Sequence, residues 1–173
     1  MSGAISIREA AAADIQAMRA AEQRAGEIFR TVGYDFCADG PNRDPEEHQR
    51  VIDNGVTYVA CRPSGEIIAF AMVEPLDGEA HLLEIDVVPE FQKNGLARRL
   101  IALGQDWALA KGFDAMTLTT YRDVPWNAPF YRRLGFVEFE PGPERKGLLE
   151  TIAKEASWGF AFRPRIAMRK LLV

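Results

Sequence analysis

Cysteine is scarce in this sequence, with Cys37 and Cys61 the only two, and no CxxC pair. That excludes a disulfide framework or a thiolate zinc site, and both residues read as reduced, structural thiols. Long apolar runs are also missing. The stretch Ile67-Ile68-Ala69-Phe70-Ala71-Met72-Val73 is soon broken by charge, well short of the roughly 20 residues a bilayer span needs. The first residues carry Arg8, Glu9 and Asp14 with no basic head leading into an apolar stretch, so no secretory signal is expected and the cytosol is the expected compartment. Positive charge is not in surplus either. The formal net charge is -4, and a duplex nucleic acid, which needs a basic face, is not an expected partner. Beyond the alanine run at Ala10–Ala13 there is no repeat or low-complexity segment, and neither the nucleoside-triphosphate loop Gly-x-x-x-x-Gly-Lys-Ser/Thr nor the dinucleotide string Gly-x-Gly-x-x-Gly occurs.

What is present is the balance of an ordinary folded protein, 47% apolar and 27% charged over 173 residues. That length suits one core, so a single domain over 1–173 is expected. From Glu22 to Asp53 acids outnumber arginines, which reads as a solvated surface or as a field that steers a cation.

Periodicity predicts a short strand at Ile5–Ile7 and a long amphipathic helix over 12–31 stopped by Gly33. A loop follows over 33–44, then a helix that Pro45 opens and that runs to about Asp53. Three strands are predicted at Val56–Cys61, Ile67–Glu74 and Ala80–Val88, separated by Pro63-Ser64-Gly65 and Asp77-Gly78, as an antiparallel meander. A helix over Gly95–Lys111 with Gly112 as its stop comes next, then a strand at Met116–Thr120. The remainder reads as a short helix over Pro125–Leu134, a strand at Phe136–Phe139, a helix to about Ser157 and a last strand at Ile166–Leu171. The order implies an α/β (α+β) fold with one sheet covered by helices.

The informative stretch runs from His81 to Ala97. A strand enters a turn of Gln92, Lys93, Asn94 and Gly95, and a helix begins at once, so unpaired backbone N–H groups point out of its N-terminus. Gly95 and Ala97 leave room for a diphosphate to approach, with Lys93, Arg98 and Arg99 adding positive charge.

Val87-Val88-Pro89 followed by Gln92-x-x-Gly95-x-Ala97 resembles the phosphate-binding signature of the GNAT superfamily, the Gcn5-related N-acetyltransferases. Tyr131-Arg-Arg-Leu-Gly135-Phe136 resembles the same family's Tyr-x-x-x-Gly-Phe motif, and the similarity of element order covers nearly the whole chain. The resemblance implies a mixed, mostly antiparallel sheet splayed at strands 4 and 5, and direct transfer of an acetyl group from acetyl-CoA to an amine. It implies donor contacts from Ile85, Val87 and Val88, from Gln92, Lys93, Asn94, Gly95, Leu96, Ala97 and Arg98, and from Asn127, which stands closer to the tyrosine than is usual in the family. It further implies Tyr131 as the acid that protonates the leaving thiolate; the phenol's reference pKa, near 10, suits a thiolate.

An amine acceptor must lose a proton before it attacks, and two residues compete for that role. His81 titrates in the useful range and Glu84 is a carboxylate in the same strand; alternation sets His81, Leu83 and Ile85 on one face and Leu82, Glu84 and Asp86 on the other. Candidate acceptor-side residues are Glu22, Phe29, Arg30 and Tyr34 on one wall, with Thr119 and Tyr121 on the other. The acceptor is expected to be a small-molecule or peptide amine, and a homodimer through the last strand is an expectation for the family. A non-catalytic acyl-CoA sensor is the alternative, which would have no use for a proton donor.

Overall fold

The computed structural model describes residues 3–157 and 165–173. Strand β1, Ser6–Glu9, is followed by a single 3-10 turn, Ala12–Asp14, which leads into α1, Ile15–Gly26. Asp14 ties this start together: its carboxylate accepts the Ala11 N–H at 2.8 Å and the Arg8 guanidinium at 2.7 Å. The predicted long helix ends in a second 3-10 turn, Glu27–Val32, that closes on Gly33 at φ 74, a left-handed conformation glycine adopts without steric cost.

The predicted loop over 33–44 contains a short helix, α2, Asp35–Asp39. Composition argued against it, and packing overrides composition: Tyr34 stacks on Phe36 at 5.4 Å, Ala38 is buried, and Gln23 donates to the Ala38 carbonyl at 2.9 Å. Helix α3, Pro45–Asn54, starts on the proline as expected.

Strands β2, Val56–Cys61, β3, Ile67–Leu76, and β4, Glu79–Val87, are followed by α4, Leu96–Ala110, and β5, Ala115–Tyr121. Then come α5, Ala128–Arg133, β6, Val137–Phe139, α6, Lys146–Ala156, and β7, Arg165–Leu171. The seven strands form one sheet of order β1-β2-β3-β4-β5-β7-β6. β1 and β3 both pair antiparallel with β2, β4 pairs parallel with β5 through Ala80–Met116 and His81–Thr117, and β7 pairs antiparallel with both β5 and β6. The last strand therefore lies inside the sheet order, paired with β5 along its length and with β6 through Ala167, Met168 and Arg169. No helix among the described residues is long and apolar enough to cross a membrane.

The chain divides into two compact units, one over Met1–Glu74 and Leu82–Trp107, the other over Pro75–His81 and Ala108–Val173. In the first, the core is built on β2 and β3, where Val59 and Ile68–Val73 are fully buried, together with Met18, Val51 and Leu100. β3 is buried on successive residues rather than alternate ones, the mark of a strand covered on both faces. In the second, Met116, Leu118 and Met168 fill the core along the β5–β7 ladder with Phe136 and Leu148.

Candidate active site

Strand β4 gives way at Val88-Pro89 to a 3-10 turn, Pro89–Phe91, and then to the loop ahead of α4. Val88 donates its N–H to the Ile68 carbonyl at 2.9 Å, and the Gln92 side chain donates to the Val87 carbonyl at 3.0 Å, so Gln92 clasps the end of the strand. Lys93 at φ 62 and Gly95 at φ 79 both take left-handed conformations. Lys93, Asn94, Gly95 and Arg98 are exposed, and a Cβ placed on Gly95 would meet nothing within 4 Å. The Arg99 N–H closes on the Gly95 carbonyl at 3.1 Å, so the amides just ahead of it have no helical carbonyl to reach. The result is an open, amide-rich helix start flanked by Lys93, Arg98 and Arg99, a suitable seat for a diphosphate.

Along β4, Glu79–Leu82 are buried and Leu83–Val87 are half-buried. Glu84 and Asp86 share a face, as alternation requires, and that face meets α1 and α3. Arg43, just ahead of α3, joins two of the candidate residues. Its backbone N–H donates to Glu22 at 2.9 Å and its guanidinium to Glu84 at 2.7 Å. Burial pulls the Arg43 guanidinium down, and the carboxylates of Glu84, Glu47 and Glu22 outweigh it and raise it above its ordinary value. Burial, with the Glu84 and Glu22 carboxylates close by, pushes the Asp86 carboxyl well above the usual range, against a smaller downward pull from Arg43. His48 on α3 is wholly buried against Phe70, with Nε2 3.8 Å from Glu22 Oε2. Sequence reasoning missed Arg43, His48 and Asp86 as site residues. Only Asp86 left a signal, its place two residues beyond Glu84 on the same face.

His81 is buried and its Nδ1 is 2.9 Å from Thr117 Oγ1. Tyr131 is buried in α5, its ring edge-on to Phe130 and Phe136, and its backbone N–H bonds the Asn127 carbonyl at 3.0 Å. Asn127 occupies the N-cap position but makes no cap bond with its side chain. Thr119 donates to Glu155 at 2.7 Å, and Tyr121 lies under the Arg165 guanidinium, 4.5 Å from the ring centre. Phe29 and Tyr34 stack at 6.4 Å, and Arg30 is bound at the surface to Glu27 and Asp39.

The chain matches the family model for the acetyltransferase (GNAT) family over residues 16–136. Its fold is similar to that of an acetyltransferase of the GNAT family from Staphylococcus aureus Mu50, with a TM-score of 0.75 at 15% identity over 98% of this chain and 100% of that one. It is likewise similar to the PaiA N-acetyltransferase from Thermoplasma acidophilum in complex with coenzyme A, with a TM-score of 0.70 at 15% identity over 98% and 99% of the two chains. For the ribosomal-protein-S18-alanine N-acetyltransferase from Escherichia coli the TM-score is 0.69 at 19% identity, over 98% and 94%. The two sequence motifs, the mixed seven-stranded sheet and the match over the central part of the chain agree, and the protein belongs to the GNAT family of acetyltransferases.

Proposed function

We propose that the chain transfers the acetyl group of acetyl-CoA directly to a primary amine of a small molecule or peptide, with 1–173 acting as one acyltransferase domain. The observation that carries this reading is the open turn from Gln92 to Ala97, with left-handed Lys93 and Gly95 and bare first-turn amides. Those amides and Lys93, Asn94, Leu96 and Arg98 would hold the diphosphate, and the half-exposed backbone of Ile85 and Val87, with Val88, would run alongside the pantetheine arm. Asn127 is assigned a donor contact on the family resemblance.

Acetyl-CoA supplies the thioester; in the transfer a C–N bond forms and the C–S bond breaks. Tyr131 would give its phenolic proton to the leaving sulfur. The amine's proton would go to Glu84, either directly or through a water. Glu84 is favoured over His81 because its side chain keeps 26% exposure even while paired with Arg43, whereas His81 is buried.

Calorimetry with acetyl-CoA, followed by thiol release in the presence of a panel of amines, tests the proposal. Donor binding with amine-dependent thiol release is expected. Tight donor binding with no transfer to any amine would favour the sensor, and no donor binding would overturn the reading.

A further inference from the structure

The face of unit one made by α1, α3 and β4 holds more acid than base and more acceptors than it satisfies. Glu22, Glu47, Glu84 and Asp86 face a single guanidinium, Arg43. Glu22 Oε1 and Glu84 Oε2 are taken by Arg43. Glu22 Oε2, Asp86 Oδ2 and both ring nitrogens of His48 are buried and have no hydrogen-bond partner among the described residues. His48 itself is 0% exposed, so this imidazole cannot turn to solvent for relief. Buried polar atoms left in this way cost free energy, and native proteins rarely tolerate several together unless something else fills the gap.

A water could bridge Glu22 and His48, but it would leave the excess negative charge where it is. Among the described residues no group of three or more His, Cys, Asp or Glu side chains is arranged to hold a metal ion. An ammonium group fits both requirements, since it carries one positive charge and three N–H donors with no acceptor. Donors of that kind are what the unpartnered acceptors Glu22 Oε2 and Asp86 Oδ2 and an unprotonated His48 nitrogen lack. The arrangement also has a length. Glu84 and Asp86 are two residues apart on one strand, about 6.6 Å along the chain, a separation comparable to that of the nitrogens in an extended four-carbon diamine.

We propose that Glu22, Asp86 and His48 form a subsite for a second ammonium group of the acceptor, so that the substrate is a short diamine or a longer polyamine whose other nitrogen is acetylated beside Glu84. The proposal rests on the acetyltransferase reading and gives its acceptor side a chemical class. The raised Asp86 carboxyl supports it: a cation arriving at that site would offset the like charge that raises it and favour loss of the Asp86 proton. The charged and titratable groups of the cluster are Glu22, Arg43, Glu47, His48 and Glu84 beside Asp86 itself, whose carboxyl is raised by burial and by the like charge of Glu84 and Glu22 against a smaller downward pull from Arg43.

The test is calorimetry on the full chain without donor, comparing 1,4-diaminobutane with butylamine at matched ionic strength and in two buffers of different ionisation enthalpy. Diaminobutane should bind at least about tenfold more tightly than butylamine and release a proton at pH values where Asp86 still carries one. Glu22→Gln and Asp86→Asn, both close to isosteric, should each erase that preference, and Asp86→Asn should also abolish the proton release, while acetyl-CoA affinity is unchanged. Equal binding of the two amines, or a preference that survives both substitutions, would mean that the site holds only water, and the subsite is overturned. Acetyl-CoA titrated into the unsubstituted protein reports separately on the reading beneath: failure there removes the acetyltransferase assignment, whereas failure of the diamine preference alone removes only the subsite.

Discussion

The Tyr131 ring packs edge-on against Phe130 and Phe136, and its backbone N–H closes the first turn of α5. A ring so packed keeps its position when the hydroxyl is removed, so Tyr131→Phe isolates the chemistry. We expect kcat to fall by about a hundredfold or more, the usual worth of a general acid, with acetyl-CoA affinity unchanged. An unaltered kcat would exclude Tyr131 from proton donation. At this scale the sequence suggests a role where a residue's neighbours in the chain form a motif, as for Tyr131 and Gln92. It was silent where the role follows from neighbours in space. Nothing near His48 or Arg43 in the chain announces that both meet Glu22, because α1 and α3 are separated by a loop and a short helix whose packing brings them together.

The element proposed to carry the donor site is the passage from β4 to α4. Its conformation depends on two left-handed residues, and only one of them is glycine: Lys93 adopts φ 62 and Gly95 φ 79. Side chains at Gly95 would find open space, so a substitution there is strained in its backbone and not by collision. Gly95→Ala should cost about 1–2 kcal/mol of stability and leave donor binding measurable. Gly95→Glu should lower acetyl-CoA affinity by more than about tenfold beyond the alanine variant, because it places a carboxylate at the positive end of a helix where a diphosphate should sit. Equal donor affinity for the two variants, by calorimetry, would move the diphosphate elsewhere. Periodicity and glycine placement found this element to within a residue or two, since an amphipathic helix and a strand declare themselves locally. They missed α2, whose single turn is held by aromatic stacking and by a bond from Gln23 on α1.

At the scale of the molecule, the strongest buried charge centre of the second unit is structural. Glu79, where β4 begins, meets Arg145 at 2.8 Å and Arg169 of β7 at 2.7 Å. Burial would raise the Glu79 carboxyl, but the hydrogen bonds and charges of the two arginines overcome it and hold the carboxyl at about 2. A carboxyl lowered on folding stabilises the protein above its ordinary value of 4.5 and loses that contribution as pH falls toward about 2. Glu79→Gln should therefore cost about 3 kcal/mol near neutral pH, the low end for a broken buried pair because Arg169 is 29% exposed. Urea melts across the acid range should show the two proteins converging between pH 4.5 and about 2. A constant gap would mean that Glu79 acts through packing alone. Strand order shows the same division between local and distant information. The meander of β2, β3 and β4 could be read from short turns, but the placement of β7 between β5 and β6 could not, because a strand's partner depends on which apolar faces remain to be covered once everything earlier has packed. By itself the sequence determined most of the elements, the turn between β4 and α4 and the family, all of which rest on residues close together along the chain. Tertiary structure alone decided which distant carboxylates share a buried face, since burying a charge is tolerable only where the whole fold supplies its counterpart.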